Sequence, residues 1–478
     1  MRLSELSKYG ELINFSEDIE ITGISYDSRK IKKGDLFIAL VGRNFDGHNF
    51  VRDAINRGAV AAIVSKKLDV SIPQILVNDT RESMAHIAAY FFQFPSKKLK
   101  VTGVTGTNGK STTAFIVHKI LKTLNKKSSL IGTIGYEILD EFIKAERTTP
   151  ESPDIQKFMY ETWKRGGEYF NMEVSSQSIC EKRVEDIVFS SAVFTNLSRE
   201  HLEYHKTFEN YKNAKLEFFK KAADTGATAI INVDDSHHRD FATIFKKSGG
   251  KKIFTYGIKN EAALRATGIT LSIEGSIFQV AYRGKNHRIE TKLIGMHNVY
   301  NILAAFAVLT NYGFSLREIS QAISKLPSIP GRLEKIEKNG IYFFIDYAHT
   351  PEALRNVLQT LKNLTINRLI VVFGAGGDRD VGKRPIMGSI ASQLADFIIL
   401  TSDNPRSEDP LKIVEDISSG ISGNSYLVEL DREKAIRIAY SMAKEGDTVL
   451  VAGKGHEEYQ EIKGKKYHFS DREVILSL

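Results

Sequence analysis

Thr105-Gly106-Thr107-Asn108-Gly109-Lys110-Ser111-Thr112 is the stretch whose residue types and order point most directly to chemistry. The β-branched run 99–105 ahead of it predicts a strand, and 110–124 behind it a helix. A glycine-containing turn in that setting aims backbone N–H groups at the helix N-terminus, where a phosphate binds. Lys110 can reach β- and γ-phosphates, and the Ser111 hydroxyl can face Mg²⁺. The pattern G-x-x-x-x-G-K-[ST] would need glycine at 104, where the chain has Val104, so this is not the loop of a generic nucleotide triphosphatase.

Other stretches offer further chemistry. Glu173 closes a predicted strand, 169–174, and a carboxylate at such a strand end beside a phosphate loop suits Mg²⁺, a hard ion that takes oxygen ligands. His201 and His205 follow another strand, 191–195, and Lys215 sits in a helical pattern; taken singly these are ordinary polar residues. Gly374-Ala375-Gly376-Gly377-Asp378-Arg379 suggests a dinucleotide turn, but G-x-G-x-x-G needs glycine at 379, where Arg379 stands. Asp403-Asn404-Pro405-Arg406 is either a Pro-bounded capped loop or a site whose Arg406 fork pairs with a carboxylate.

The elements that must position these residues fall into three groups. Strands at 35–40 and 61–64 and helices at 51–57 and 82–94 precede a break at Pro95-Ser96-Lys97-Lys98. Strands at 99–105, 169–174, 191–195 and 229–233 then alternate with helices, which argues for a parallel, doubly wound sheet. Residues 254–289 alternate like antiparallel strands, and 298–310 predicts a helix. After a second break at 327–331, strands at 341–345, 369–373, 397–401 and 448–451 belong to a third α/β unit. The expected fold is therefore α/β in three domains. These are a small mixed α/β N-terminal domain (1–97), a central P-loop-type doubly wound ATPase domain (98–329) and a C-terminal Rossmann-like domain (330–478).

Composition narrows the class. Over 478 residues, 42% hydrophobic and 26% charged content is ordinary for globular domains. The net charge of +8 is mild: solvated lysines on helix faces, or a field favouring anionic ligands. No arginine stripe with interleaved aromatics suggests nucleic acid. Cys180 is the sole cysteine, which excludes an intrachain disulfide and suits a reducing compartment. MRLSELSKYGELINF lacks an apolar signal core and reads as a helix, and no apolar run approaches a membrane span. A soluble cytoplasmic enzyme is expected.

TGTNGKST resembles the loop of the Mur ligase family, which also includes folylpolyglutamate synthetases. The likeness covers essentially the whole chain and is nearest to the diaminopimelate-adding members. It implies an ATP-dependent, ADP-forming ligase that adds meso-diaminopimelate to UDP-N-acetylmuramoyl-L-alanyl-D-glutamate through an acyl phosphate, in peptidoglycan precursor synthesis. ATP as co-substrate, Mg²⁺ and a monomeric chain are implied with it.

Residue by residue, the resemblance implies ATP contacts from Gly106, Thr107, Asn108, Gly109, Lys110, Ser111 and Thr112, and from Asn298, Asn301, Arg332, Asp346 and His349. It implies Mg²⁺ ligands in Ser111, Glu173, His201 and a carbamylated Lys215, whose carbamate would turn an ammonium donor into a carboxylate-like acceptor. Lys110, Glu173, His201 and Lys215 are then the catalytic set, and His205 stays structural or helix-polar. The muramoyl dipeptide falls to Thr148, Thr149, Ser175 and Arg183, with Tyr26, Ser28 and the loop 42–47 on the uridine part. Glu181 stands where the family usually has glutamine, an unexpected carboxylate near an anionic substrate. Diaminopimelate falls to Arg379, Asp403, Asn404, Pro405, Arg406, Gly453 and Glu457. Lysine lacks the carboxylate that Arg406 would pair with, which would leave a desolvated cation unpaired. The alternatives are the same fold with another acceptor (a lysine-adding enzyme, MurF or a folylpolyglutamate synthetase), a P-loop NTPase without ligase activity, or a non-catalytic UDP-sugar-binding protein.

Overall fold

The computed structural model describes residues 1–42, 45–423 and 426–478. Arg43 and Asn44, in the uridine loop expected at 42–47, lie outside the described residues. The chain folds into two compact units, residues 1–265 with 301–315 and residues 266–300 with 316–478.

The first unit opens with a five-stranded sheet in the order Glu11–Ile13, Gln74–Leu76, Ala61–Val64, Asp35–Ile38, Gly23–Ser25. All its pairings are parallel except that of Glu11–Ile13. The N-terminal helix expected from sequence is a 3-10 turn, Leu3–Lys8, that gives way to this strand. Leu3 and Leu6, buried at a spacing of three, suit the tighter helix. Gly10 ends it where a Cβ would press on the Leu76 carbonyl. The helix Thr80–Phe91 begins at Asp79, which accepts from Arg81 and Glu82 N–H.

The second sheet of this unit is the doubly wound one. Its parallel strands run in the order Lys252–Gly257, Thr228–Asn232, Ser191–Phe194, Lys100–Thr105, Tyr169–Glu173, Ser128–Gly132. The central members are buried on both faces, as an apolar β-branched run requires. Register matters most here: Val104 pairs with Glu173 and Thr105 with Phe194. The phosphate loop, Glu173 and the 195–205 loop therefore leave the sheet at the same edge. Residues 254–289 are only partly antiparallel. Lys252–Gly257 pairs parallel to Thr228–Asn232 because the helix His238–Lys247 carries the chain across, whereas Gly275–Tyr282 and Lys285–Thr291 form an antiparallel hairpin in the second unit.

The second unit also holds a six-stranded sheet in the order Glu334–Lys338, Ile341–Asp346, Thr448–Ala452, Leu369–Phe373, Phe397–Leu400, Tyr426–Val428, antiparallel only at its first pair. Helices Pro351–Leu364, Lys383–Leu394, Pro410–Ser418 and Arg432–Met442 accompany it. Loops 346–349, 374–379, 401–406 and 453–457 leave the C-terminal ends of its four inner strands, the edge where ligands bind in open α/β sheets. A short hairpin, Tyr459–Ile462 with Lys465–His468, follows the last of these loops.

Candidate active site

The loop 105–110 is shaped by its glycines and by what packs on them. Gly106 and Gly109 hold φ of +150° and +86°, where a Cβ would run into the Thr195 hydroxyl and the Asn301 side-chain oxygen. Neighbouring residues fasten the loop: Thr107 N–H donates to Asn196 O (2.8 Å) and Asn108 N–H to Asn196 Oδ1 (2.9 Å). The Thr107 hydroxyl accepts from Ser198 N–H (2.9 Å) and lies 3.1 Å from the Tyr211 hydroxyl. Lys110 bends back over the loop, its ammonium donating to the carbonyls of Gly106 (3.0 Å) and Thr107 (2.7 Å). Ser111 and Thr112 are buried in the first helical turn.

Lys215 reaches the same loop from the helix Phe208–Asp224. Its Nζ is buried, donates to Gly106 O at 2.7 Å and lies 4.7 Å from the centre of the Tyr211 ring. Burial pushes its pKa well below the usual lysine value; Lys110 adds to the effect and Glu200 opposes it. A neutral amine so placed is a nucleophile.

Glu173 is buried, and its carboxylate accepts from Thr133 N–H (2.6 Å) and from the Thr133 hydroxyl (3.4 Å). His201 has left-handed backbone (φ +56°), and its half-exposed ring stands between Glu200 (3.6 Å) and Glu203 (3.4 Å). His205 is buried against the Ser176 hydroxyl (2.9 Å); burial lowers its pKa, with His201 and Lys215 acting the same way. Among the described residues, no three His, Cys, Asp or Glu side chains converge as a metal centre. As oxygen donors, the Ser111 hydroxyl and the Glu173 carboxylate fit a hard cation. Glu200 adds a buried carboxylate oxygen with no hydrogen-bond partner among the described residues. Lys215 as an amine does not fit and would have to become a carbamate.

The residues assigned to the muramoyl dipeptide adjoin Glu173. Thr149 donates from its hydroxyl to Glu173 O (2.8 Å) and lies 3.3 Å from the Ser175 hydroxyl, and Thr148 lies 3.0 Å from the Thr133 hydroxyl. Arg183 donates to Thr149 O (2.9 Å) and pairs with Glu181 and Glu151. Glu181 is explained by its surroundings: burial alone would raise its pKa, but Gln177, Arg183 and Arg81 outweigh that and hold it below the usual glutamate value. Tyr26 donates to Asp154 on the helix Ser152–Lys164 (2.6 Å), and Ser28 sits in a one-turn 3-10 helix capped by Asp27.

In the second unit, Asp346 is buried and accepts from Leu333 N–H (2.8 Å) and Ala348 N–H (2.9 Å). Burial raises its pKa against the opposing pull of Arg332 and those two N–H groups. Arg332 lies over the Tyr347 ring at 5.1 Å. His349 Nδ1 is 2.8 Å from Tyr347 O, and because a carbonyl only accepts, Nδ1 carries the proton. Asn298 donates to Ile294 O (2.9 Å).

The expected acceptor residues are brought together. Arg406, at φ +53°, donates from Nη1 to Gly377 O (2.5 Å) and from Nε to Glu461 (3.3 Å). Asn404 donates to Glu457 Oε2 (2.9 Å), and its backbone carbonyl accepts from Gly377 N–H (3.0 Å). Gly453, at φ +114°, is where a Cβ would run into the Asp403 carboxylate. Arg379 ends the Gly-rich turn, with a methylene 3.9 Å from where a Cβ on Gly376 would lie.

Several residues of these clusters carried no local signal: Tyr211, Thr133, Glu151, Arg81 and Glu461. Each is an ordinary residue in its own segment, and only long-range packing brings it in.

The chain matches three family models in succession: "Mur ligase family, catalytic domain" over residues 20–92, "Mur ligase middle domain" over 104–309 and "Mur ligase, glutamate ligase domain" over 331–455. A Clostridium tetani protein named UDP-N-acetylmuramoyl-L-alanyl-D-glutamate–2,6-diaminopimelate ligase is 42% identical, over 100% of this chain and 99% of its own length. An Aquifex aeolicus protein of the same name is 43% identical over 96% and 93%. A solved structure of an enzyme of that name superposes with a TM-score of 0.73 at 33% identity, covering 100% of this chain and 98% of its own. The MurF ligase of Thermotoga maritima in complex with ADP shares the fold, with a TM-score of 0.66 at 21% identity over 90% and 93%.

Proposed function

The chain belongs to the Mur ligase family, and from that premise we propose that it joins meso-diaminopimelate to UDP-N-acetylmuramoyl-L-alanyl-D-glutamate at the expense of ATP. The reaction supplies a peptidoglycan precursor in the cytoplasm, and the chain acts as a monomer. Among the described residues no helix is long and apolar enough to cross a membrane. The observation that carries the choice of acceptor is Arg406, held by Gly377 O and Glu461 in the same loop as Asn404, which meets Glu457, at the C-terminal edge of the six-stranded sheet.

In the first step a carboxylate oxygen of the D-glutamyl residue attacks the γ-phosphorus of ATP and ADP leaves. In the second, the amino group of diaminopimelate attacks the acyl carbon and phosphate leaves. The chain supplies position and charge rather than a covalent partner. Gly106, Thr107, Asn108 and Gly109 offer the loop backbone. Lys110 turns from the Gly106 and Thr107 carbonyls to the phosphates, and Ser111 and Thr112 open the helix beneath them. Asn298, Arg332, Asp346 and His349 are assigned to the nucleotide. Thr148, Thr149, Ser175, Glu181 and Arg183 hold the muramoyl dipeptide, with Tyr26 and Ser28 on the uridine side. Arg379, Asp403, Asn404, Pro405, Arg406, Gly453 and Glu457 hold the amino acid. Ser111, Glu173, His201 and a Lys215 carbamate would hold Mg²⁺, which when bound neutralises phosphate and carboxylate oxygens. The corresponding domains are 1–97 for the UDP-sugar, 98–329 for ATP and 330–478 for the amino acid.

ADP release with UDP-muramoyl dipeptide and a panel of amino acids tests this. Release that depends on diaminopimelate, with lysine far weaker, is expected. Equal use of lysine would overturn the acceptor, and release without any amino acid would overturn ligation.

A further inference from the structure

Lys454 lies at the centre of the acceptor cluster yet belongs to none of the groups assigned to substrate. It is fully buried. Its ammonium donates to Asn404 Oδ1 (3.2 Å) and Glu457 Oε2 (3.3 Å), with the Asp403 carboxylate at 4.0 Å. Two consequences follow from that geometry. Asn404 Oδ1 also accepts from Glu461 N–H (2.9 Å), so with Lys454 both lone pairs of that oxygen are used. The amide cannot turn over, and its NH₂ is fixed on Glu457 Oε2 at 2.9 Å. Glu457 Oε2 thereby takes two donors, which directs the remaining acceptor capacity of that carboxylate to Oε1.

The second consequence concerns charge. Lys454 pairs with Glu457 at 3.3 Å and stands 4.0 Å from Asp403, so one ammonium is shared by two carboxylates. Arg432 also lies near both but is already paired with Asp471 through two bonds of 2.7 and 2.9 Å, and Lys383 faces Asp403.

We propose that Lys454 is a positioning residue for the incoming amino acid: it locks the Asn404 amide and occupies Glu457 Oε2, so that Glu457 Oε1 receives an ammonium group of the acceptor. This rests on the ligase reading above.

The test is steady-state ADP release by the full-length protein, with the KM of each substrate measured separately. Lys454→Met should raise the KM for the acceptor at least tenfold while the KM values for ATP and the UDP-muramoyl dipeptide stay within about twofold. Lys454→Met unpairs Glu457 and risks misfolding, so Lys454→Met with Glu457→Gln is made alongside. If Lys454 acts through Glu457, the double variant loses no more acceptor affinity than Glu457→Gln alone. An unchanged acceptor KM, an equal rise in all three KM values, or additive losses in the double variant would overturn the inference. Failure of the ligase reading is seen separately: the unsubstituted protein would then release no ADP in response to diaminopimelate, and this role for Lys454 would fall with it.

Discussion

Lys215 and Lys110 donate to the same acceptor, the carbonyl oxygen of Gly106, at 2.7 and 3.0 Å. Two ammonium groups on one buried oxygen repel, and burial already disfavours charge on Lys215. A base whose folded pKa is depressed costs stability while both states are protonated, and that cost fades as pH rises toward the ordinary lysine value. The neutral amine, and with it the capacity to take up CO₂ as a carbamate, therefore increases with pH. With ¹³C-bicarbonate, a carbamate carbon signal should grow on raising the pH and be absent from Lys215→Ala. That variant should lose about 100-fold or more in rate, the scale for removing one group that stabilises transition-state charge. An undiminished rate would remove Lys215 from the mechanism.

The glycines of the phosphate loop should tolerate no side chain. Gly106→Ala and Gly109→Ala each force a Cβ into a neighbour at positive φ. Each is expected to lower stability by about 1–3 kcal/mol and to weaken ATP binding. Thermal unfolding and nucleotide titration read the two effects separately. Unaltered ATP affinity in both would mean the loop does not hold phosphate.

Arg406→Ala should act on one substrate. The KM for diaminopimelate is expected to rise about 100-fold, the scale of a lost charge-assisted pair, with ATP affinity nearly unchanged. Initial rates at varied acceptor and varied ATP decide it; equal effects on both would point to a folding defect.

His86 and Asp186 join the helix Thr80–Phe91 to the doubly wound part of the first unit, with His86 Nδ1 2.6 Å from the carboxylate. That hydrogen bond, the largest effect on His86, raises its pKa. Its stabilisation is fully present below the unfolded histidine value of about 6.5 and is lost as pH rises through the raised folded value. Both groups are about one-third exposed, so the pair contributes no more than about 1 kcal/mol. Asp186→Asn should thus lower the melting temperature at pH 5.5 and leave it almost unaltered at pH 8.5. A constant difference across that range would show that the pair does not titrate.

What the sequence made legible follows from how local each signal was. Ala61–Val64 and Leu369–Phe373 are continuous apolar runs, and the strands begin and end where the pattern does. The helix Lys110–Thr123 starts where Gly109 ends the loop. Ser128–Gly132 carries two serines and has little strand signal of its own, because its place is set by pairing with Tyr169–Glu173 and not by its composition. The same holds at the site. Glycines, Lys110 and Arg406 stand out by type and spacing, whereas Arg81 meets Glu181 across one hundred positions, and nothing near either residue announces the partner. Glu181 is out of place only apart from its pairing with Arg81 and Arg183.

Arg406 already has a carboxylate beside it: Glu461 accepts from its Nε, and Gly377 O takes Nη1. An acceptor carboxylate arriving there enters by exchange with an internal anion rather than by capture at a bare cation. Exchange leaves the number of ion pairs nearly constant, so ionic strength acts on both sides of the equilibrium and largely cancels. Recognition at this end would then be set by the shape of the guanidinium fork and its carbonyl anchor, and would persist in salt that abolishes long-range attraction.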